Sequence, residues 1–174
     1  MNKHYSDDEL KTILSQCKMV VDTREQKNSH IYSYLEGKGV EVISRKLNVG
    51  DYAMQLGEVS FENDFVVERK ANLDEICGNL TADRDRFERE FTRAKANGTK
   101  VYLVIENATW GDIYNHNYTS KMTPKALIAS LLSWQVRFNV TVMLVSNIHS
   151  AELIYGTLLY GVRELLMNSC IGGS

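Results

Sequence analysis

Hydrophobic side chains along this chain follow two patterns, one suited to strands and the other to helices. Residues 101–106 and 140–145 are apolar at nearly every position, which is typical of strands that are covered on both faces. After Thr123 and Pro124, which suit an N-cap and a first helical residue, apolar residues recur every three or four positions. This stripe predicts a helix, and it consists of Leu127, Leu131, Trp134 and Phe138.

The rest of the chain divides into strands and helices by the same criteria. Apolar or alternating runs predict strands at residues 17–22, 40–47, 51–56, 59–61 and 64–70. Capping signals and helical spacing predict helices that begin near residues 6, 29, 72, 80 and 150. The alternation predicts a three-layer α/β domain. Its expected bounds are residues 19–168, after a helical extension at 1–18 and before a flexible tail at 169–174.

Composition narrows the class of protein. The 174 residues contain 44% hydrophobic and 24% charged side chains, which fits one globular domain. The net charge of −2 does not by itself indicate a polyanionic partner. A nucleic-acid enzyme would have to concentrate its positive charge locally. Three widely spaced cysteines predict a reducing compartment, and no signal peptide or membrane-spanning run is found. We therefore expect a cytoplasmic protein, at the nucleoid or in a host cell if viral, or a nuclear one in a eukaryote.

Acidic residues stand at or just after the ends of several predicted strands: Asp22, Glu25, Asp51 and Glu68. Gly50, immediately before one of them, permits a bend or a close approach of two backbones. Glu68 and Lys70 are two residues apart, so a strand places both on one face and points Arg69 to the other. If these strands are neighbours, the carboxylates converge at one end of the sheet.

Such convergence is unfavourable without a cation. Two carboxylates ~4 Å apart repel each other by roughly 4 kcal/mol at an effective dielectric constant of about 20. A hard divalent ion removes the repulsion, and ligation by oxygen alone suits Mg²⁺ or Mn²⁺. A neighbouring lysine can orient a water molecule and neutralise charge on a phosphate. A lone Glu-x-Lys is more often a solvated strand end with a weak ion pair, but three acidic segments in order favour metal-assisted phosphodiester hydrolysis.

These segments resemble the motifs of the XPF-type nuclease domain, a branch of the restriction-endonuclease-like PD-(D/E)XK superfamily. The matching stretches are Val21-Asp22-Thr23-Arg24-Glu25, Gly50-Asp51 and Glu68-Arg69-Lys70-Ala71-Asn72-Leu73-Asp74. The resemblance implies a restriction-endonuclease-like fold, in which helices flank a central mixed sheet on both faces.

The resemblance also implies roles at the matching positions. Asp51 and Glu68 are expected to bind Mg²⁺, for which Mn²⁺ would substitute, with help from the Arg69 main-chain carbonyl oxygen. Lys70 is expected to position the water and the scissile phosphate. Two further acids complete the cluster, either behind the ligands or at a second metal ion: Asp22 and Glu25.

Basic residues near the motifs are expected to bind DNA: Arg24, Arg86, Arg89 and Arg93. Arg24 and Arg69 are also expected to tie the acids together. Many relatives have an Asp-Gly-Arg segment where this chain has Asp83-Arg84-Asp85-Arg86, so the loop shape should differ. The alternative for the last three arginines is a solvated helix face paired with Asp85, Glu88 and Glu90. Asp74 remains open between a motif role and a favourable acid in the first turn of a helix.

Two features bear on partners. The last helix carries an apolar stripe that favours a homodimer, as in relatives, or packing on its own sheet: Ile154, Leu158, Gly161 and Leu165. The polar loop 111–119 carries aromatic residues that suit stacking on unpaired bases or packing within the loop. Many relatives carry a tandem helix-hairpin-helix domain, which this sequence does not contain. DNA binding is therefore expected through the nuclease core, a dimer, or a separate DNA-binding, replication or recombination partner.

The function that these observations favour is a Mg²⁺-dependent DNA endonuclease acting on branched, flapped or recombination and repair intermediates. A non-catalytic DNA-binding or scaffold subunit is one alternative, since nuclease folds also serve as inactive partners. A nuclease that cuts ordinary duplex DNA on the same fold is another.

Overall fold

A single mixed sheet forms the centre of the computed structural model, which describes residues 5–169. Its seven strands are β1 (Cys17–Val21), β2 (Val42–Ser44), β3 (Tyr52–Leu56), β4 (Val59–Ser60), β5 (Phe65–Lys70), β6 (Lys100–Glu106) and β7 (Val140–Val145). The order is β2-β1-β3-β5-β6-β7, and β4 pairs with β3 outside this path. β3 is antiparallel to both β1 and β5, whereas β5, β6 and β7 are mutually parallel.

Helices cover both faces of the sheet. They are α1 (Asp7–Leu14), α2 (Ser29–Gly37), α3 (Leu73–Thr81), α4 (Arg84–Ala96), α5 (Trp110–Tyr114), α6 (Pro124–Phe138) and α7 (Asn147–Ser169). One core joins the sheet to α3, α4, α5 and α6, with Trp134 at its centre, and the other joins the opposite face to α2 and α7. The predicted fold class, helices on both faces of a central mixed sheet, is confirmed.

The alternation of β5 continues from its apolar half into its charged half. Val66 packs in the core under α3 and α4, whereas Val67 packs in the core under α2 and α7. Continuing this period of two puts Glu68 and Lys70 on the first side and Arg69 on the second. All six residues of β5 are buried. The strand therefore carries three charged side chains into the interior, where each requires a partner.

Several element boundaries differ from the prediction. β2 covers only residues 42–44, because the chain then leaves the sheet and buries Leu47 in the core. α7 begins at Asn147, three residues before the expected start. β1 begins at Cys17, as predicted for this strand, and Leu10 of α1 is buried. Ser169 ends α7, and the rest of the predicted tail lies outside the described residues.

The apolar stripe of α7 packs on the sheet of its own chain. Ile154 and Leu158 are fully buried in the core. A Cβ atom at Gly161 would lie 2.8 Å from the Phe65 ring, so glycine permits the helix to approach β5 closely. Packing on the sheet of its own chain thus accounts for Ile154, Leu158 and Gly161, and the homodimer stays a prediction. Among residues 5–169, no helix has the length and apolarity needed to cross a bilayer.

Candidate active site

Gly50 and Asp51 lie where β3 approaches β5. The Asp51 amide donates to the Val67 carbonyl oxygen at 2.8 Å, and the Asp51 carbonyl oxygen accepts from the Asp22 amide at 2.8 Å. Gly50 has φ +77°, and a Cβ atom there would lie 2.8 Å from the Val66 Cβ. Only glycine combines this backbone conformation with this approach. The Gly-Asp pair of the sequence therefore anchors Asp51 between two strands.

The carboxylates of Asp51 and Glu68 face one cleft together with Lys70. Asp51 Oδ2 accepts from the Arg69 amide at 2.8 Å, and Glu68 Oε1 accepts from Lys70 Nζ at 2.7 Å. We call this space the catalytic cleft; it has a volume of about 270 Å³. Its acidic lining is Glu25, Asp51, Glu68, Glu75 and Glu90, and its basic lining is Arg24, Arg69, Lys70 and Arg86. Of the four acids expected to converge, Glu25, Asp51 and Glu68 line this cleft.

Burial and charge perturb the ionisation of the three central groups. Burial raises the pKa of Asp51 well above its usual range, and the negative charges of Glu68 and Glu25 add to the effect. Burial also raises the pKa of Glu68, although Lys70 opposes the shift. For Lys70, burial alone would lower the pKa, but Glu68 and Asp51 raise it overall. Lys70 is therefore an ammonium ion at neutral pH, while the two carboxyl groups resist carrying charge together.

A partly hydrated hard cation fits this donor set. Within residues 5–169, no three Asp, Glu, His or Cys side chains gather closely enough to form a metal cage. Mg²⁺ does not require one, because it keeps several waters and takes one or two protein carboxylates together with substrate phosphate. Asp51 and Glu68 would supply two such oxygen ligands, and a bound cation would offset the repulsion that raises their pKa values.

Arg69 organises the opposite face of β5. Its Nη1 donates to Glu25 at 2.7 Å and its Nη2 donates to Glu106 at 2.8 Å. Glu106 is almost fully buried at the end of β6 and also contacts His30 Nε2 at 2.8 Å. Burial would raise the pKa of Glu106, but the hydrogen bonds from Arg69, Ser150 and His30 lower it overall. Arg69 therefore ties acids together, as predicted, and holds the Glu25 carboxylate at the cleft.

Asp22 is occupied by other partners. Its Oδ1 accepts from the Arg24 amide and Nε at 2.8 and 2.7 Å, and its Oδ2 accepts from Arg24 Nη2 and the Leu47 amide at 3.0 and 2.6 Å. Burial raises its pKa, but these bonds outweigh burial and lower it. Asp22 does not line the catalytic cleft. This arrangement favours the prediction that Asp22 lies behind the metal ligands over a direct metal contact.

Asp74 secures a loop away from the cleft. Its Oδ1 accepts from the amides of Thr119 and Ser120 at 2.9 and 2.6 Å. His116 in the same loop bonds the Ser120 carbonyl oxygen, and its ring lies 4.3 Å from that of Tyr118. These contacts support packing within the loop for His116 and Tyr118, and they give Asp74 a structural role.

The four predicted DNA-binding arginines lie in or beside the cleft. Arg24 and Arg86 line it with largely exposed side chains, and Arg86 shares a second groove on α4 with Arg89 and Arg93. We call that second space the α4 groove. Glu88, one of the acids expected to pair with these arginines, instead pairs with Arg84 and Arg137. Within the described residues, Arg89 and Arg93 form no ion pair.

Sequence reasoning missed three acids of this region. Glu106 ends an apolar strand, so the rule that found Glu68 could also have found it. Glu75 and Glu90 reach the cleft from α3 and α4, where nothing in a helical sequence distinguishes them from solvated acids.

Comparison with solved structures finds proteins with a similar fold. XPF from Aeropyrum pernix has a TM-score of 0.63 and 23% sequence identity, covering 85% of this chain and 66% of that one. XPF from Aeropyrum pernix in complex with DNA gives a TM-score of 0.61 at the same identity and coverages. This chain thus spans slightly less than two thirds of those proteins, and the likeness places it in the fold class of the XPF nuclease domain. Comparison with curated proteins gives no significant match.

The sequence itself shows the family to which the chain belongs. The profile of the ERCC4 domain matches residues 21–157, a span that contains every acid of the catalytic cleft. The chain belongs to the ERCC4 domain family, that of the XPF-type nucleases, which confirms the resemblance seen in its motifs.

Proposed function

We propose that this protein is a divalent-metal-dependent DNA endonuclease. The observation that carries the proposal is the convergence of Asp51 and Glu68 in one polar cleft with Lys70 bonded to Glu68. Membership of the ERCC4 domain family supports the same activity.

Asp51 and Glu68 would hold Mg²⁺, with Mn²⁺ as a substitute. When bound, the ion supplies charge stabilisation at the phosphate and a water of lowered pKa. The Lys70 ammonium, which Glu68 holds in place, contributes positive charge beside the phosphate as negative charge develops there. Since its pKa is raised, Lys70 acts as a cation and hydrogen-bond donor, and proton abstraction from water falls to another group.

Arginines around the cleft would hold the DNA backbone. Arg24 is fixed by Asp22, so its guanidinium enters the cleft in a defined orientation. Arg86, Arg89 and Arg93 would contact phosphates along α4. These contacts carry no base information, which suits an enzyme that recognises DNA shape.

Branched, flapped or recombination and repair DNA is the substrate class that we propose. The XPF protein from Aeropyrum pernix has been solved with DNA, which supports DNA as the ligand of this fold. A non-catalytic subunit would not need Asp51, Glu68 and Lys70 together, and their joint presence favours the enzyme.

A homodimer is the assembly that we propose. Val136 on α6 and Ile148 at the start of α7 are more than four-fifths exposed, and β7 forms one edge of the sheet. Exposed apolar residues near an edge strand suit association between copies. Sedimentation equilibrium tests this assembly, and a purely monomeric species at micromolar concentration would contradict it.

A panel of DNA substrates tests the activity. Forked, flapped, four-way-junction and linear DNA of equal length would be incubated with the protein in Mg²⁺ and in EDTA. We expect Mg²⁺-dependent incision that is faster on branched DNA than on linear DNA. Equal rates on all four would favour the duplex-cutting alternative, and binding without incision would favour the scaffold subunit.

A further inference from the structure

A third polar space continues from the catalytic cleft, on the side of the loop between β1 and α2. It has a volume of about 430 Å³ and shares Arg24, Glu25, Arg69 and Glu75 with the cleft. Lys27 and Asn72 are among the residues that line only this groove. We call it the flanking groove.

We infer that the flanking groove binds a backbone phosphate of the DNA strand that crosses the cleft, and that Lys27 is its main contact. This inference rests on the proposed function and adds a substrate-binding residue to it. None of the sequence motifs assigns a role to Lys27.

Charge distinguishes the flanking groove from the cleft beside it. The cleft is lined by four basic and five acidic side chains, whereas the flanking groove is lined by three basic and two acidic ones. Lys27 is exposed and forms no ion pair among residues 5–169. Its positive charge is therefore available to an anion from outside the chain.

The backbone at Lys27 supports a specific placement of this charge. Its φ is +54°, a left-handed conformation that is unfavourable for a residue with a side chain. Arg69 Nη2 donates to the Lys27 carbonyl oxygen at 3.2 Å, so the strand that carries Glu68 also fixes this turn. A strained residue that is held by the catalytic strand is typical of functional positions.

Basic residues then flank the cleft from two grooves. The α4 groove shares Arg86 and Glu90 with the cleft, and the flanking groove shares Arg24 and Glu25 with it. A strand lying in both grooves would pass over Asp51 and Glu68. Phosphates on each side of the cut would thus be bound, which suits incision within a strand.

Equilibrium DNA binding tests the inference independently of cleavage. Binding of fluorescein-labelled forked DNA would be measured by anisotropy in EDTA, across a range of salt concentrations, for wild-type protein and Lys27→Gln. We expect Lys27→Gln to weaken binding roughly tenfold at low salt and to reduce the slope of log K against log salt by about one. Lys11→Gln is the matched control, because Lys11 lies on α1, at the opposite end of β1 from Asp22.

Neutral methylphosphonate substitutions then locate the phosphate. One substitution at a time would be placed at successive positions of the DNA strand, and at one position we expect a loss with wild-type protein that Lys27→Gln does not show. Identical binding and identical methylphosphonate profiles for the two proteins would overturn the inference, as would the absence of DNA binding. DNA binding that depends on Lys27 without any incision would instead overturn only the proposed endonuclease.

Discussion

At the scale of single residues, the position of Asp51 depends on the absence of a side chain at Gly50. Four glycines of the described residues have positive φ: Gly39, Gly50, Gly57 and Gly98. Gly50 and Gly57 both have positive φ, +77° and +56°, yet only Gly50 is crowded by β5, whereas nothing lies within 4 Å of a Cβ at Gly57. Backbone conformation and close approach can therefore be separated experimentally.

We predict that Gly50→Ala destabilises the protein more than Gly57→Ala. Both variants place an alanine in the left-handed conformation, which destabilises the folded state by about 1–2 kcal/mol. Gly50→Ala adds overpacking against Val66, typically about 1–3 kcal/mol. Urea denaturation of both variants measures the difference in free energy of unfolding. Equal losses would show that β3 and β5 are not in close contact at Gly50.

Lys70 offers a second prediction at this scale. Because its ammonium group bonds Glu68 and acts on the phosphate in our account, Lys70→Gln should lower kcat about 100-fold or more. The Mg²⁺ concentration that gives half the maximal rate should change by less than about threefold, because Lys70 is not a metal ligand. Steady-state kinetics over a Mg²⁺ series separates the two quantities. A large shift in Mg²⁺ requirement with kcat preserved would contradict this role.

At the scale of elements, β5 and β6 together hold the charged interior. Arg69 and Glu106 belong to adjacent parallel strands, and their ion pair lies on the face covered by α2 and α7. Arg69 also bonds Glu25 in the loop after β1. The ends of three strands are thus linked through one guanidinium group.

Glu106→Gln should destabilise the protein by about 1.5–3 kcal/mol at neutral pH, since it removes the charge of a buried hydrogen-bonded acceptor. The pKa of Glu106 is lowered in the folded state, so its contribution is present above its usual pKa and is lost as pH falls. The difference from wild type should therefore shrink under acid conditions. Thermal or urea unfolding at several pH values measures it.

Glu88→Gln serves as the control for that measurement. Glu88 pairs with Arg84 and Arg137, which are both substantially exposed, so its ion pairs should be worth about 0–1 kcal/mol. If Glu88→Gln lowered the free energy of unfolding as much as Glu106→Gln, the buried network around Glu106 would contribute no more stability than exposed ion pairs.

The sequence could predict one part of this arrangement and not another. The alternation of side chains along a strand was enough to predict that Glu68 and Lys70 lie on one face of β5 and Arg69 on the other. This holds because residues 65–70 form one uninterrupted strand. The bond from the Leu47 amide to Asp22 could not be predicted, because it depends on how residues 45–50 leave the sheet and return Leu47 to the core. Arg69 was expected to tie acids together, but its pairing with Glu106 requires knowing that β6 lies beside β5.

At the scale of the whole molecule, two packed cores support a cleft whose charges oppose folding. Burial and neighbouring acids raise the pKa of Asp51, so the folded protein binds more protons than the unfolded chain between about pH 4 and that raised pKa. The free energy of unfolding contributed by Asp51 therefore falls as pH rises through this window. The site is maintained at a cost to stability.

Without divalent metal, Asp51→Asn should therefore be more stable than wild type at neutral pH, and the advantage should disappear toward pH 4. Asp22→Asn is the opposite control, because the lowered pKa of Asp22 means that its charge stabilises the fold above its usual pKa. It should be less stable than wild type at neutral pH. Thermal unfolding in EDTA from acid to neutral pH compares the three proteins, and a destabilised Asp51→Asn would contradict the charge repulsion inferred for the cleft.

We propose that Asp51 and Glu68 together hold a divalent ion that cleavage of DNA requires. The most direct measurement is the incision rate of a labelled DNA fork by wild-type protein and by Glu68→Gln, purified identically, in Mg²⁺ and in EDTA. We expect incision by wild type only when Mg²⁺ is present, and none by a folded Glu68→Gln. Incision in EDTA, or undiminished incision by Glu68→Gln, would contradict it.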